Sequence, residues 1–257
     1  MTGQIRSNGT KLVRTKVVAQ KNSILHVPTQ FGTVNNLLIN QELYGKFKYG
    51  DIIKKGNFGV GTFNGLDGEM VAVDGQFYQI DTKLNARIVR NNQETPIAKV
   101  INFPEKVDIQ ETCREISSIE KLIKYLHRFI QKDSYFACRI DGAFDSILAR
   151  SHSKIKKPYQ KISVKESRPL GEHLRLFSEL YPDDIATLLN INGTMVGFYT
   201  PESVNRDIDL PGWHFHFIAD GEKFKRGGHV LDCFVKDAKI NLLQVEPPRL
   251  AFRSGPH

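Results

Sequence analysis

Cysteine is scarce in this sequence of 257 residues, which contains only three. Cys113, Cys138 and Cys233 lie far apart and form no CxxC pair, so we expect neither a disulfide framework nor a cysteine-based zinc knuckle. Structural disulfides are typical of oxidising compartments, and nothing in this cysteine content points to one. We therefore predict a cytoplasmic protein.

Long apolar segments are missing as well. No stretch of about 18 apolar residues offers a membrane span, and residues 1–30 lack the apolar run that follows the basic start of a secretory signal. We therefore expect no signal peptide and no membrane association. Hydrophobic residues nevertheless make up 40% of the chain, which is enough for a substantial core and argues against disorder.

A nucleic-acid-binding motif is also absent, although the formal net charge is +8. The basic residues are dispersed among segments such as "KLVRTK", "KFKYGDIIKK" and "SKIKKPYQK", with no recognised motif beside them. We interpret the charge as a solvated basic surface, which would also favour a small anionic substrate. No nucleic-acid partner is expected.

What the sequence does contain is a series of strands separated by turns. The dipeptides NG and DG divide "GVGTFNGLDGEMVAVDGQFYQID" into apolar runs, which predicts β-hairpins. Helical spacing of apolar residues predicts helices in "TVNNLLINQELYGKF", after a capping box at Ser117 and Glu120, and in "GEHLRLFSELYPDDIATLL". Other segments are strand-like: "YFACRIDGAFDSILARS", "TMVGFYTP", "WHFHFIAD" and "GGHVLDCFVKDAKINLLQV".

These patterns predict an α+β fold that is mostly antiparallel β, with two β-rich lobes and a few packed helices. We predict a flexible N-terminal lead over residues 1–22 and a tail over residues 251–257. Between them we expect an N-terminal sheet lobe over residues 23–135 and a C-terminal β lobe over residues 136–250.

Three histidines mark the C-terminal lobe as the place of a metal site. In a strand, His214 and His216 of "GWHFHF" share one face, while Trp213 points to the other. A glycine-rich turn then returns the chain, so that His229 of "GGHVLD" can lie across from the pair. Three neutral imidazoles with an open fourth position are typical of a catalytic zinc site. Imidazole also suits iron, copper and nickel, and a His-x-His pair also occurs as an ordinary polar strand face.

The histidines are part of a longer series of motifs, which spans roughly residues 29–245. The motifs are "FGTVNNLL", "GDIIKKGNFGVGTFNGLDGEMVAVDGQFYQI", "RIDGAF", "KKPY", "GTMVGFYTPE" and "PGWHFHFIADGEKFKRGGHVLD". In this order they resemble the alpha-acetolactate decarboxylases. The resemblance implies a zinc enzyme that converts 2-acetolactate, a small anionic 2-hydroxy-3-keto acid, to acetoin and carbon dioxide. It also implies a homodimer that pairs through its N-terminal sheets.

The same resemblance implies roles for individual residues. The three histidines named above fall on the zinc ligands. Glu69 of "LDGE" falls on a glutamate that would protonate the enediolate left by decarboxylation, and Arg150 on an arginine that would bind or orient the substrate carboxylate. Thr62 falls on a threonine that would give a supporting hydrogen bond to the substrate or to Glu69.

Two other functions stay open at this point. A cupin-like metal-dependent oxygenase or isomerase also opens a strand with His-x-His and usually adds a carboxylate ligand, for which Asp220 and Glu222 are available. A non-catalytic relative could bind an anion through its basic surface. Such a binding protein would have no chemical need for the three histidines together with Glu69 and Arg150.

The sequence also departs from the family pattern at three places. Trp213 stands where a tyrosine usually precedes the first histidine. The segment between Pro169 and Asn192 is longer than is usual and could form a helix over the site or an interface. Some relatives place a second glutamate from a C-terminal tail over the zinc, and we do not assign that role to Glu246, the only carboxylate after Asp237.

Overall fold

The computed structural model describes residues 25–162, 170–221 and 225–251. The predicted lead over residues 1–22 therefore lies outside the described residues, as does the predicted tail except for Ala251. The described part is built mostly of antiparallel strands with few helices, so the predicted fold class is confirmed. No helix within it is both long enough and apolar enough to cross a bilayer.

Strands account for most of the regular structure. In chain order they are β1 (Thr29–Phe31), β2 (Phe47–Lys48), β3 (Phe58–Thr62), β4 (Glu69–Val73), β5 (Gln76–Ile80), β6 (Ala86–Ile88), β7 (Glu94–Thr95), β8 (Ala98–Ile101), β9 (Ile109–Ile116), β10 (Tyr135–Ser151), β11 (Asp184–Thr200), β12 (Gly212–Ala219), β13 (Gly227–Val245) and β14 (Arg249–Ala251). The helices are α1 (Tyr49–Ile52), α2 (Ile119–Leu126) and α3 (Leu170–Leu180), together with a π-helical turn (Asn35–Ile39) and a 3-10 turn (Ile53–Lys55).

The first sheet has seven strands in the order β14-β1-β8-β3-β4-β5-β6. All neighbours are antiparallel except β1 and β14, which run parallel with Phe31 opposite Ala251. β14 therefore brings the C-terminal end of the described chain beside the first strand. A separate two-stranded ladder joins β2 to β7.

The hairpins predicted from the glycine turns are present in this sheet. Between β4 and β5, Asp74 and Gly75 have φ angles of 52° and 79°, as a type I′ turn requires. Side chains alternate along β4, so that Val71 packs with residues of the second sheet while Met70 joins a cluster on the opposite face. Glu69 begins β4 two residues before Val71 and therefore shares the face directed at the second sheet.

The second sheet, in the order β10-β11-β12-β13-β9, closes on itself because β10 also pairs with β13. β10 is hydrogen-bonded along both edges, and Phe136 lies opposite both Tyr199 of β11 and Gln244 of β13. Phe144 of β10 and Phe217 of β12 pack edge to face with ring centroids 5.4 Å apart. Since β10 and β12 are not paired, this contact crosses the interior of a small barrel, to which β9 is attached through β13.

The main hydrophobic core lies between the first sheet and this barrel. Phe58, Val60, Val71 and Ile80 of the first sheet cluster there with buried residues of the barrel strands. A second cluster covers the other face of the first sheet and includes Tyr49 and Ile52 of α1. Phe177 of α3 joins a third, smaller cluster with Leu43, Leu66 and Ile155. Burial of each large side chain contributes about 1.5–3 kcal/mol, so these contacts fix how the sheets face each other.

The structure corrects two details of the predicted helices. Ser118, rather than Ser117, is the N-cap of α2, because its hydroxyl accepts the Lys121 amide at 3.2 Å. Of the segment predicted as helical before "NINGT", only α3 is a helix, and β11 begins at Asp184. Pro182 has no amide hydrogen and therefore cannot continue a helix, while the following residues extend the ladder with β10.

Sheet membership does not follow the boundary predicted at residue 135. β9 precedes that residue and pairs with β13, with Cys113 opposite Ala238. β14 lies at the other end of the chain and completes the first sheet. Each sheet therefore contains a strand from the other side of the predicted boundary. Hydrophobic periodicity along the chain does not reveal this arrangement.

Candidate active site

The three predicted histidines converge on one point. His216 of β12 lies opposite His229 of β13, and His214 precedes His216 by two residues on the same strand face. His214 Nε2 is 3.0 Å from His216 Nε2 and 3.1 Å from His229 Nδ1. Nitrogens bound at about 2.0–2.1 Å to one tetrahedral ion are roughly 3.3 Å apart, which is close to these separations.

Hydrogen bonding alone cannot satisfy these nitrogens. His216 Nδ1 lies 2.8 Å from the carbonyl oxygen of Met70. That nitrogen therefore carries the hydrogen of the neutral ring, and Nε2 presents a lone pair to the centre. His214 Nε2 faces both other nitrogens but can donate at most one hydrogen. A cation at the shared point would accept all three lone pairs, so the donor set fits a divalent metal that prefers imidazole.

The surroundings keep these imidazoles neutral, as metal binding requires. Burial lowers the pKa of His216 well below its usual value, and the charge of His214 adds to this effect, while the hydrogen bond to Met70 opposes it. Burial also lowers the pKa of His229, with further contributions from His214 and Arg150. His216 is 1% exposed, whereas His214 keeps contact with solvent, so the centre is open on one side.

Glu69 lies directly beside the histidines. Its Oε2 is 3.5 Å from His216 Nε2, and its side chain is 13% exposed. Burial raises the pKa of Glu69 to about 7, against a lowering by Arg150, and Asp183 raises it further. Gly68 precedes Glu69 with a φ of 87°, and a Cβ at this position would lie 2.1 Å from the Ile80 carbonyl oxygen, so the turn requires glycine there.

Thr62 lies close to the site, and its hydroxyl is directed at a backbone carbonyl group rather than at Glu69. It lies opposite Glu69 in the β3–β4 ladder and is 7% exposed. Its hydroxyl donates to the carbonyl oxygen of Gly68 at 2.7 Å. A hydroxyl has one hydrogen to donate, so in this arrangement Thr62 braces the turn before Glu69 and donates no hydrogen bond to the Glu69 carboxyl group.

Arg150 reaches the site from the barrel. It lies near the end of β10, opposite His229 in the ladder with β13. Its Nη1 donates to Asp183 Oδ2 at 2.5 Å, in an ion pair whose side chains are 30% and 12% exposed. The structure thus brings together the three histidines, Glu69 and Arg150, and leaves Thr62 behind Glu69.

Sequence reasoning missed Asp183 and the carbonyl group of Met70. Asp183 lies in a segment predicted as helical, and no spacing connects it to Arg150, which is 33 positions earlier. The Met70 carbonyl follows Glu69 on β4 and becomes a histidine partner only because the sheets face each other. Trp213 does face away from the histidines as predicted, and its ring stacks on Phe215 with centroids 5.1 Å apart.

A cavity of about 680 Å³ opens next to Asp183. Its wall is formed by the chain that follows β10 and by the chain between α3 and β11, and it includes His152, Lys154, Lys156 and Tyr181. Lys154 and Lys156 are both solvent-exposed. The same wall carries Asp183 and Asp184, so the two lysines are balanced by two carboxylates at this opening.

The fold and the site together describe a β-sheet protein with three converging histidines that could hold a metal ion, flanked by the mostly buried Glu69 carboxyl group and by Arg150. The model of the alpha-acetolactate decarboxylase family matches residues 29–254. The chain belongs to this family, as its motifs predicted, and is therefore an enzyme of the carboxy-lyase class. Family membership sets aside the cupin-like alternative.

Individual relatives agree with this assignment. The chain is 33% identical over 230 residues to an alpha-acetolactate decarboxylase from Methanosarcina mazei, which covers 87% of this chain and 72% of the relative. It superimposes on the crystal structure of alpha-acetolactate decarboxylase from Bacillus subtilis strain 168 with a TM-score of 0.74, at 30% identity and 89% coverage of each chain. A Staphylococcus aureus protein described as similar to this enzyme shares the fold, with a TM-score of 0.73 and 24% identity.

Proposed function

We propose that the protein catalyses the zinc-dependent decarboxylation of 2-acetolactate to acetoin and carbon dioxide. The observation that carries the proposal is the convergence of His214, His216 and His229 next to the Glu69 carboxyl group, in a chain of this family. These three histidines would hold the zinc. When bound, it would act as a Lewis acid that draws electron density from the oxygen atoms of the substrate.

Arg150 is the group that would bind the substrate carboxylate. A guanidinium group offers planar pairs of donors that match the two oxygens of a carboxylate. Only Nη1 of Arg150 is engaged in the ion pair with Asp183. The remaining donors are available to hold the substrate so that its reacting carbon lies toward Glu69, which fixes the geometry before any bond breaks.

Decarboxylation breaks the bond between the carboxylate carbon and the carbon that carries the hydroxyl group. The electron pair of that bond passes to the ketone oxygen and leaves an enediolate. Glu69, mostly buried and directed at the centre, would then give its proton to the carbon that lost carbon dioxide. Protonation from this one side yields a single enantiomer of acetoin, and the Glu69 carboxylate is then reprotonated from solvent.

The direct test is incubation of the purified protein with 2-acetolactate, with acetoin as the readout and zinc measured in the same sample. We expect acetoin formation that stops with a chelator and returns with zinc. A non-catalytic anion-binding relative would form no acetoin with or without the metal. If iron rather than zinc restored activity, the metal assignment would be wrong while the reaction would stand.

Replacement of Arg150 by lysine is expected to raise KM and lower kcat, each by about tenfold or more, because a point charge cannot reproduce the planar pair of donors. Zinc content should not change. Arg139→Lys is the matched control, since Arg139 lies on the same strand and pairs with Asp74 and Asp141 away from the histidines. Unchanged kinetics in Arg150→Lys would remove this residue from substrate binding.

We also propose a homodimer, located in the cytoplasm, that pairs through the first sheet. The family resemblance supports the dimer, and Ile88 of the edge strand β6 is an apolar side chain of that sheet that is 57% exposed. Light scattering at micromolar concentration should give twice the mass of the chain. A monomer mass under these conditions would contradict the proposal.

A further inference from the structure

Asp183, in the chain between α3 and β11, places its carboxylate against Arg150. Ser151 pairs with Asp184 at the end of the β10–β11 ladder, so Asp183 lies just outside the ladder and reaches back to Arg150. The ion pair is short, at 2.5 Å between Nη1 and Oδ2, and largely withdrawn from solvent. An ion pair of this kind is charge-assisted and directional, unlike the mobile pairs on a protein surface.

The ion pair leaves one edge of the guanidinium group free. Arg150 Nη1 is taken by Asp183, while Arg150 Nε is buried and has no hydrogen-bond partner among the described residues. Nε and Nη2 form the side edge of the group, whose two N–H bonds run parallel and match the two oxygens of a carboxylate. A buried donor without a partner is costly, so this edge is suited to a ligand that completes it.

His152 flanks Asp183 on the side opposite Arg150. Its Oδ1 is buried without a hydrogen-bond partner among the described residues and lies 3.8 Å from His152 Nε2. The two ring nitrogens of His152 lie 3.1 Å from the Ser153 carbonyl oxygen and 3.0 Å from the Tyr181 carbonyl oxygen. His152 thus ties the end of β10 to the chain that carries Asp183, and the carboxylate is confined between His152 and Arg150.

We propose that Asp183 is a positioning residue, which orients the Arg150 guanidinium group so that its Nε and Nη2 edge receives the substrate carboxylate. The proposal rests on the function proposed above, in which Arg150 binds that carboxylate. Without Asp183 the guanidinium group could rotate about its side chain and present a different pair of donors. Asp183 therefore acts on carboxylate recognition through Arg150 and has no contact of its own with the reaction.

The first experiment is steady-state kinetics of Asp183→Asn, which keeps the size of the side chain and removes its charge. We expect KM for 2-acetolactate to rise about tenfold, with a smaller change in kcat and no change in zinc content. Asp184→Asn is the matched control, because Asp184 is exposed and accepts a hydrogen bond only from Ser153 Oγ, at 3.3 Å, among the described residues. Equal losses in both variants, or an unchanged KM in Asp183→Asn, would overturn the proposal.

A double variant separates positioning from general support of the fold. If Asp183 acts through Arg150, adding Asp183→Asn to Arg150→Lys should change KM by less than twofold, because the guanidinium donors that Asp183 orients are already absent. If the two effects instead multiply in full, Asp183 acts independently of Arg150 and the proposal is wrong. Asp183→Glu, which keeps the charge, should recover part of the lost affinity.

A binding measurement tests the role of Asp183 in carboxylate recognition without relying on turnover. We would measure the affinity of the zinc-loaded protein and of each variant for 2-hydroxy-2-methylpropanoate, which has the hydroxyl and the carboxylate, and for acetoin, which lacks the carboxylate. Asp183→Asn should weaken binding of the acid about tenfold and leave acetoin unchanged. Equal weakening of both ligands would overturn the positioning role. Wild-type protein that binds the acid but forms no acetoin would contradict the proposed function and not this inference.

Discussion

Glu69→Gln should retain zinc and substrate binding but lose on the order of a hundredfold or more in turnover, the usual scale of general acid catalysis. Glutamine keeps the shape of the side chain and cannot supply the carboxylic proton to the enediolate. Because Oε2 of Glu69 lies 3.5 Å from His216 Nε2, the substitution is close to the centre, and zinc must be quantified with the acetoin assay.

The matched control for this variant is Glu120→Gln, since Glu120 is exposed in the first turn of α2. It should have the turnover of the wild type. Turnover near that of the wild type in Glu69→Gln as well would remove Glu69 from the mechanism and would require another proton source.

His216→Ala should abolish both zinc binding and acetoin formation. His216 is the most deeply buried of the three histidines and is the one fixed by a carbonyl group, that of Met70. Loss of an oriented ligand leaves two nitrogens, which are too few for a stable catalytic zinc site. The expected result is substoichiometric zinc by elemental analysis, with turnover reduced by at least the factor expected for Glu69→Gln.

His127→Ala controls for the loss of an imidazole elsewhere, because His127 is exposed at the end of α2 and packs against Tyr199. It should keep one zinc per chain. Full zinc content in His216→Ala would show that the ligand assignment is wrong. Thermal unfolding of both variants distinguishes loss of the metal from loss of the fold.

The sequence predicts those parts of the fold that depend on local chemistry. The turn at Asp74 and Gly75 is encoded by residues that accept positive φ angles, and the strands beside it alternate as hairpins do. The shared face of His214 and His216 follows from the geometry of any strand. What the sequence does not predict is closure of the barrel by β10 and β13, because strand pairing between distant segments leaves no periodic signal.

The same distinction between local and distant contacts applies to the residues of the candidate site. The three histidines and Glu69 are found through motifs in which the ligand and its turn are close in sequence. Asp183 is not found in this way, because it meets Arg150 only after the chain has passed through α3 and before β11 begins. The sequence also does not predict which group accepts the hydrogen bond of the Thr62 hydroxyl. The choice between Glu69 and the Gly68 carbonyl depends on the path of the turn before Glu69.

Pairing of β10 along both edges bears on how the protein opens locally. Apart from the irregularity at Asp145, which has no partner in either ladder, an amide of β10 meets solvent only when the strand separates from β11 or from β13, and either separation breaks the barrel. The free energy of such an opening approaches that of global unfolding. Arg150 is thus carried by a strand that opens last, whereas Asp183 lies just beyond the paired part of β11. Transient breathing of the ion pair would therefore begin on the side of Asp183.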